Sequence, residues 1–190
     1  MIVYFVASRK DITERIEELR QFVTIIHENG HTLALDWLEP IYAEERKNKI
    51  TDVDWPVVYK DTIEAITRAD VFIAETSTQS FGVGYQVALA VHLKKPVLLL
   101  HNESANESVF ASGIPEANAQ IQAYNRNNLK EIIEKFLTEN IIENKDLRFN
   151  FFIDRPIYNY LRWVSVKENK TKAEILRELV QKEIDKDKSL

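Results

Sequence analysis

The sequence predicts an α/β protein: an open, doubly wound, five-stranded parallel sheet followed by a small strand–helix–helix dimerisation module. Three observations carry that reading. Short apolar runs alternate with amphipathic helical stretches five times before residue 142. The runs are rich in β-branched and aromatic residues, as strands buried on both faces require. After residue 146 the pattern changes to one alternating segment and two amphipathic helices. The domains are therefore placed at 1–142 and 146–190.

The first strand is Ile2 to Ala7, a continuous apolar run. Asp11 caps a helix in which Ile12, Ile16, Leu19, Phe22, Val23 and Ile26 recur at helical spacing up to Gly30. His31 to Leu35 is a short second strand, and 36–53 reads as a charged loop with some helix. A helix over 54–68 carries Val58, Ile63 and Ile66, and leads into the buried strand 71–74. A polar loop with two glycines then opens a helix that continues to about Leu93. Pro96 to Leu100 and Ile121 to Tyr124 are the last two strands, and Leu129 to Leu137 is the closing helix. This is a flavodoxin-like or Rossmann-like plan. Its ligands sit beyond the C-terminal ends of the strands, where strand order reverses. The loops after strands 1 and 3 are the candidate site.

Composition narrows the function classes. With no cysteine in the chain, disulfides, thiolate zinc sites and cysteine nucleophiles are excluded. His27 and His31 stand four apart, but Gly30 between them ends the helix, so the pair reads as a helix end and a strand start; no metal and no cofactor are expected. No segment approaches the roughly 18–20 apolar residues of a membrane span. The opening apolar run lacks a basic n-region and reads as a strand. The expected location is cytoplasmic, without membrane contact. A net charge of −5 does not suit a nucleic-acid binder as a whole. Charge is uneven, however: from Lys145 onward 11 basic residues stand against 8 acidic, while the remainder holds 14 against 22.

The segment after strand 3 is Glu75-Thr-Ser-Thr-Gln-Ser-Phe-Gly-Val-Gly-Tyr-Gln. A polar turn opening a helix offers free backbone N–H groups and the positive end of the helix dipole to an anion. Ser77, Thr78 and Ser80 add hydroxyls, and Gly82 and Gly84 permit close backbone approach to a phosphate or sugar. On the adjacent loop, Ser8 and the cations Arg9 and Lys10 face the same place. The competing reading is that the glycines only allow tight strand-to-helix packing.

The stretch from Ala69 to Ala90, with Lys95-Pro96-Val-Leu after it and Tyr4-Phe5-Val6-Ala7-Ser8 at the start, resembles the nucleoside 2-deoxyribosyltransferase superfamily, and within it the 2′-deoxynucleoside 5′-monophosphate N-glycosidases. The resemblance spans roughly residues 1–140 and is most specific over 69–98. It implies a hydrolase or transferase acting on an N-glycosidic bond through a nucleophilic glutamate, with an upstream aspartate near the leaving base. It also implies that Ser80, Gly82 and Gly84 bind the 5′-phosphate, that Tyr4 and Ser8 line the site, and that a neighbouring subunit lends a serine, for which Ser108 and Ser112 are candidates. The nucleophile position holds Gln86, and a neutral amide is a poor nucleophile. Counted back from Gln86, the aspartate position falls on Thr62, with Asp61 one residue out of register. Glu75 is a substitute carboxylate to consider.

In the tail, Arg148, Asn150, Phe152 and Asp154 alternate with Phe149, Phe151 and Ile153, the pattern of a strand with one buried face. Pro156 opens a helix bearing Tyr160, Leu161 and Val164. Thr171 and Glu174 form a capping box before a second helix with Ile175, Leu176, Leu179, Val180 and Ile184. So short a module cannot bury its own apolar surface, so it dimerises or packs onto the first domain. Residues 147–184 resemble the ribbon-helix-helix family. That resemblance implies base reading by Arg148 and Asn150 and phosphate contact at Thr171, whereas Phe152 in an outward position suits a protein contact.

Two functions follow as expectations. One is a nucleotide-binding enzyme that cleaves the N-glycosidic bond of a nucleoside 5′-monophosphate. The other is a catalytically dead ligand sensor that forms a homo-oligomer and regulates, with DNA a possible partner through its tail.

Overall fold

The computed structural model describes residues 1–10, 12–46, 53–105, 113, 119–141 and 151–187. The chain divides into two units, Met1–Ile142 and Glu143–Leu190.

In the first unit the order is β1 (Ile2–Val6), α1 (Ile12–Glu28), β2 (Thr32–Leu33), α2 (Leu38–Arg46), α3 (Trp55–Arg68), β3 (Val71–Glu75), α4 (Phe81–His92), β4 (Val97–Asn102), β5 (Ala119–Tyr124) and α5 (Leu129–Glu139). The five strands pair in the order β2-β1-β3-β4-β5, all parallel. Strand order reverses between β1 and β3, which places the ligand crevice at their C-terminal ends.

Two apolar layers sandwich the sheet. Val3, Phe5, Val71 and Ile73 pack against Leu19 and Phe22 of α1 and Ile133 and Phe136 of α5. Tyr4, Val6, Phe72 and Ala74 pack on the other side against Ile66 of α3 and Val83, Val87 and Ala90 of α4. All five residues of β3 are buried, which is why its sequence is a continuous apolar run up to Glu75.

Two details differ from the sequence reading, in the second strand and at the start of α4. The second strand shrinks to Thr32–Leu33, which pair with Ile2 and Val3 of β1. Within the stretch read as a charged loop with some helix, the helix is α2, which packs Leu38 beneath it. Helix α4 begins at Phe81, so Gly82 and Gly84 lie in its first turn and not in the preceding loop. Ser80 caps that helix by accepting from the Val83 N–H, 3.4 Å away. Asp11, the expected cap of α1, lies outside the described residues.

The second unit holds α6 (Arg155–Glu168) and α7 (Lys172–Ile184). Asp154 caps α6 by accepting from the Ile157 N–H at 3.1 Å, with Pro156 in the first turn. Asn169 takes the left-handed conformation (φ 53°) that ends the helix. Thr171 and Glu174 close the expected capping box on α7. The expected strand over 148–154 is not formed where it can be seen: 151–154 carries no strand, and 148–150, with Arg148 and Asn150, lies outside the described residues. A strand needs a neighbour to take its backbone hydrogen bonds, and none of the described residues supplies one. The core here is Leu161, Val164 and Ile175, with Ile153 and Leu176 at its edge.

Candidate functional site

Alternation along β1 turns Tyr4 toward the α3/α4 layer, where its ring stacks on Phe72 with centroids 5.3 Å apart. The Tyr4 hydroxyl donates to Gln86 Oε1 at 2.8 Å. The Thr62 side chain lies near the same hydroxyl and acts to lower its pKa. Three residues from β1, α3 and α4 thus meet at the crevice. Burial pushes the Tyr4 hydroxyl up to about 12, against a smaller opposing effect of Thr62, so it stays protonated and donating at neutral pH.

Asp61 is exposed, while Thr62 is half-buried beside Tyr4. One residue is about 100° of helix turn, enough to send Asp61 away from the crevice.

Gly82 and Gly84 are not demanded by packing. A methyl group at Gly84 would meet nothing within 4 Å, and one at Gly82 would meet only Ser80 Oγ, at 3.8 Å. Neither glycine has positive φ. Their absent side chains leave the first turn of α4 bare to solvent. The Gly84 N–H returns to the Ser80 carbonyl at 3.0 Å.

Ser8 is buried, and its Oγ accepts from the Lys10 N–H at 3.2 Å. Arg9 pairs with Glu45 at 3.3 Å and lies over the Trp55 ring, 5.5 Å from its centroid. It is half-exposed, so an incoming anion can compete with Glu45 for it.

Glu75 is fully buried and belongs to the other side of the sheet. It follows Val71 and Ile73 in the alternation that faces α1 and α5. Arg15 Nη2 lies 2.8 Å from its Oε2, and the Ser77 N–H and the Tyr124 hydroxyl donate to its Oε1 at 3.0 and 3.2 Å. Tyr124 also hydrogen-bonds Glu18, which pairs with Arg15. Burial opposes the Arg15 charge, but the facing carboxylates of Glu75 and Glu18 outweigh it and raise the guanidinium pKa. Burial, then the two carboxylates, push the Tyr124 hydroxyl up as well. Glu75 is therefore committed to a cation and turned from Gln86. Sequence reasoning missed Arg15, Glu18 and Tyr124; the one local signal was a charged i,i+3 pair, Arg15 and Glu18, beside the apolar stripe of α1.

Ser108 and Ser112 lie outside the described residues. Among the described residues no cluster of three histidine, aspartate or glutamate side chains could hold a metal, and no helix is long and apolar enough to cross a membrane.

No family model matches the chain. Curated relatives do, and three of them illustrate the match. The "Putative 2'-deoxynucleoside 5'-phosphate N-hydrolase 1" of Methanosarcina mazei is 32% identical over 95 residues, covering 50% of this chain and 57% of the relative. The 5-hydroxymethyl-dUMP N-hydrolase of Tetraodon nigroviridis is 27% identical over 127 residues, 65% of this chain and 82% of the relative. That of Danio rerio is 26% identical over 148 residues, 74% and 100%. The chain spans only 57% and 51% of the two Methanosarcina relatives it matches. Among solved structures, the Clostridium botulinum CMP N-glycosidase superposes with a TM-score of 0.48 at 22% identity, over 71% of this chain and 97% of that one. A 2-deoxyribosyltransferase of Bacillus psychrosaccharolyticus gives 0.46 at 13%, over 80% and 100%. Over part of its length the chain is thus similar to proteins named as deoxynucleoside 5′-phosphate N-hydrolases.

Proposed function

We propose that the first unit binds a nucleoside 5′-monophosphate intact, as a ligand sensor whose glycosidic chemistry is disabled. The observation that carries this is the Tyr4–Gln86 hydrogen bond. A retaining N-glycosidase needs a carboxylate that attacks the anomeric carbon and answers the oxocarbenium charge. At this position an amide offers neither function, and its oxygen is already held by a protonated tyrosine. On this reading Ser80 and the bare first turn of α4 take the 5′-phosphate, helped by Ser8 and Arg9, while Tyr4, Thr62 and Gln86 face the sugar. Relatives named as N-hydrolases favour the second reading, an active N-glycosidase or deoxyribosyltransferase. Equilibrium dialysis against labelled monophosphates, with recovered ligand checked for an intact glycosidic bond, separates the two. Retained, uncleaved ligand supports the sensor; free base in the dialysate supports the enzyme.

The second unit, on this proposal, is a ribbon-helix-helix-like homodimerisation module. Its support is apolar surface left bare on a unit with three core side chains: Phe152 is fully exposed, and Tyr160, Trp163 and Val166 are more than half exposed. DNA contact at Thr171 is less well served. Glu174 already accepts from the Thr171 N–H at 2.7 Å, so the chain's own carboxylate fills the anion seat at the start of α7.

A further inference from the structure

We propose that Arg15 and Glu75 are positioning residues: their buried ion pair holds residues 76–78 so that Ser80 and the first turn of α4 present to a 5′-phosphate. The inference rests on the phosphate reading above.

Polar groups of residues 76–78 are tied down one after another. The Thr76 N–H donates to the Leu100 carbonyl at 2.7 Å. The Ser77 N–H donates to Glu75 Oε1 at 3.0 Å, and Ser77 Oγ accepts from the Asn102 N–H at 2.7 Å. Thr78 Oγ1 accepts from Arg15 Nη1 at 3.0 Å. Gln79 is exposed, and Ser80 then caps α4. Arg15 comes from α1, on the opposite face of the sheet from α4. Its planar fork grips Glu75 with one nitrogen and Thr78 with the other, fixing the segment at two points over the end of β3.

A buried carboxylate without its cation is strongly disfavoured, so Arg15 cannot leave Glu75 to meet a ligand. With its charge answered by Glu75 and Glu18, Arg15 acts by holding the loop and not by binding phosphate itself. A phosphate seat made of a hydroxyl and backbone N–H groups depends on placement to within fractions of an ångström. Thr78 is the joint through which that placement is transmitted.

The affinity test uses the full chain and two substitutions that avoid stranding a charge. Thr78→Val keeps the shape and removes the acceptor; Thr78→Ser keeps the hydroxyl. Calorimetric affinities are measured for CMP, dCMP, UMP and dUMP, each against its own nucleoside. Wild type is expected to prefer at least one monophosphate by tenfold or more. Thr78→Val is expected to cut that ratio to threefold or less while nucleoside affinity stays within twofold, and Thr78→Ser to restore it. Equal losses for monophosphate and nucleoside, or an unchanged ratio, overturn the positioning role. A wild type that prefers no monophosphate overturns the phosphate reading together with the role built on it. Amide hydrogen exchange of ligand-free protein isolates the latch itself: residues 76–80 are expected to exchange tenfold faster in Thr78→Val and Glu75→Gln. Exchange at the wild-type rate in both overturns the latch regardless of ligand.

Discussion

Replacing Tyr4 by phenylalanine isolates the hydroxyl at the centre of the crevice. At neutral pH the change removes one donor to Gln86, which is half-buried and within reach of water, so it costs about 1 kcal/mol. The sign reverses in alkali. The folded hydroxyl titrates at about 12 where the unfolded one titrates at 10.0, so the unfolded chain loses its proton first. The protonated tyrosine's contribution is complete below pH 10 and is lost as pH rises toward 12. Linkage puts that loss at roughly 2 kcal/mol by about pH 11.5. Phenylalanine has nothing to ionise. The stability curves of wild type and Tyr4→Phe should therefore start about 1 kcal/mol apart and cross near pH ~11. Urea unfolding from pH 7 to 11.5, following Trp37 in the first unit, supplies both curves, and contributions of other groups cancel in the difference. A gap that stays constant across the range would refute the buried, protonated donor, and with it the account of how Gln86 is held.

Three further outcomes follow from the same geometry. Gly84→Ala should stabilise α4 by about 0.5–1 kcal/mol, because its new methyl meets nothing, yet weaken monophosphate binding by tenfold or more; thermal melts and calorimetry read the two effects separately. Ser80→Ala removes the cap of α4 and should cost about 1 kcal/mol in denaturant unfolding. Sedimentation velocity should find a dimer that Trp163→Glu converts to monomer, since that half-exposed ring lies on the apolar surface of α6; a wild-type monomer at all concentrations refutes the dimerisation module.

The parts of the fold legible in sequence are those where burial is one-dimensional. β1, β3 and β4 lie inside the sheet, so their apolar runs are unbroken, and α1 shows its stripe because one face meets the sheet and the other meets water. Edge and partner effects were not legible. β2 pairs with β1 over two residues, and 151–154 forms no strand because pairing needs another strand. The start of α4 differs from the sequence reading because glycines at 82 and 84 argue against helix locally, while burial of Val83, Val87 and Ala90 overrides that cost. At the site, Tyr4 and Gln86 are positions that the family resemblance implies, and the structure joins them. The Arg15–Glu75 pair left no trace, for its partners stand 60 residues apart and belong to no common period.

The most direct test of the central claim is base release measured by chromatography for wild type and Gln86→Glu, at nucleoside monophosphate concentrations where calorimetry shows wild type to be saturated. The account predicts that wild type binds and releases no base, while Gln86→Glu, with a carboxylate beside the Tyr4 hydroxyl, does release it. Turnover by wild type, or no binding of any monophosphate, would contradict it.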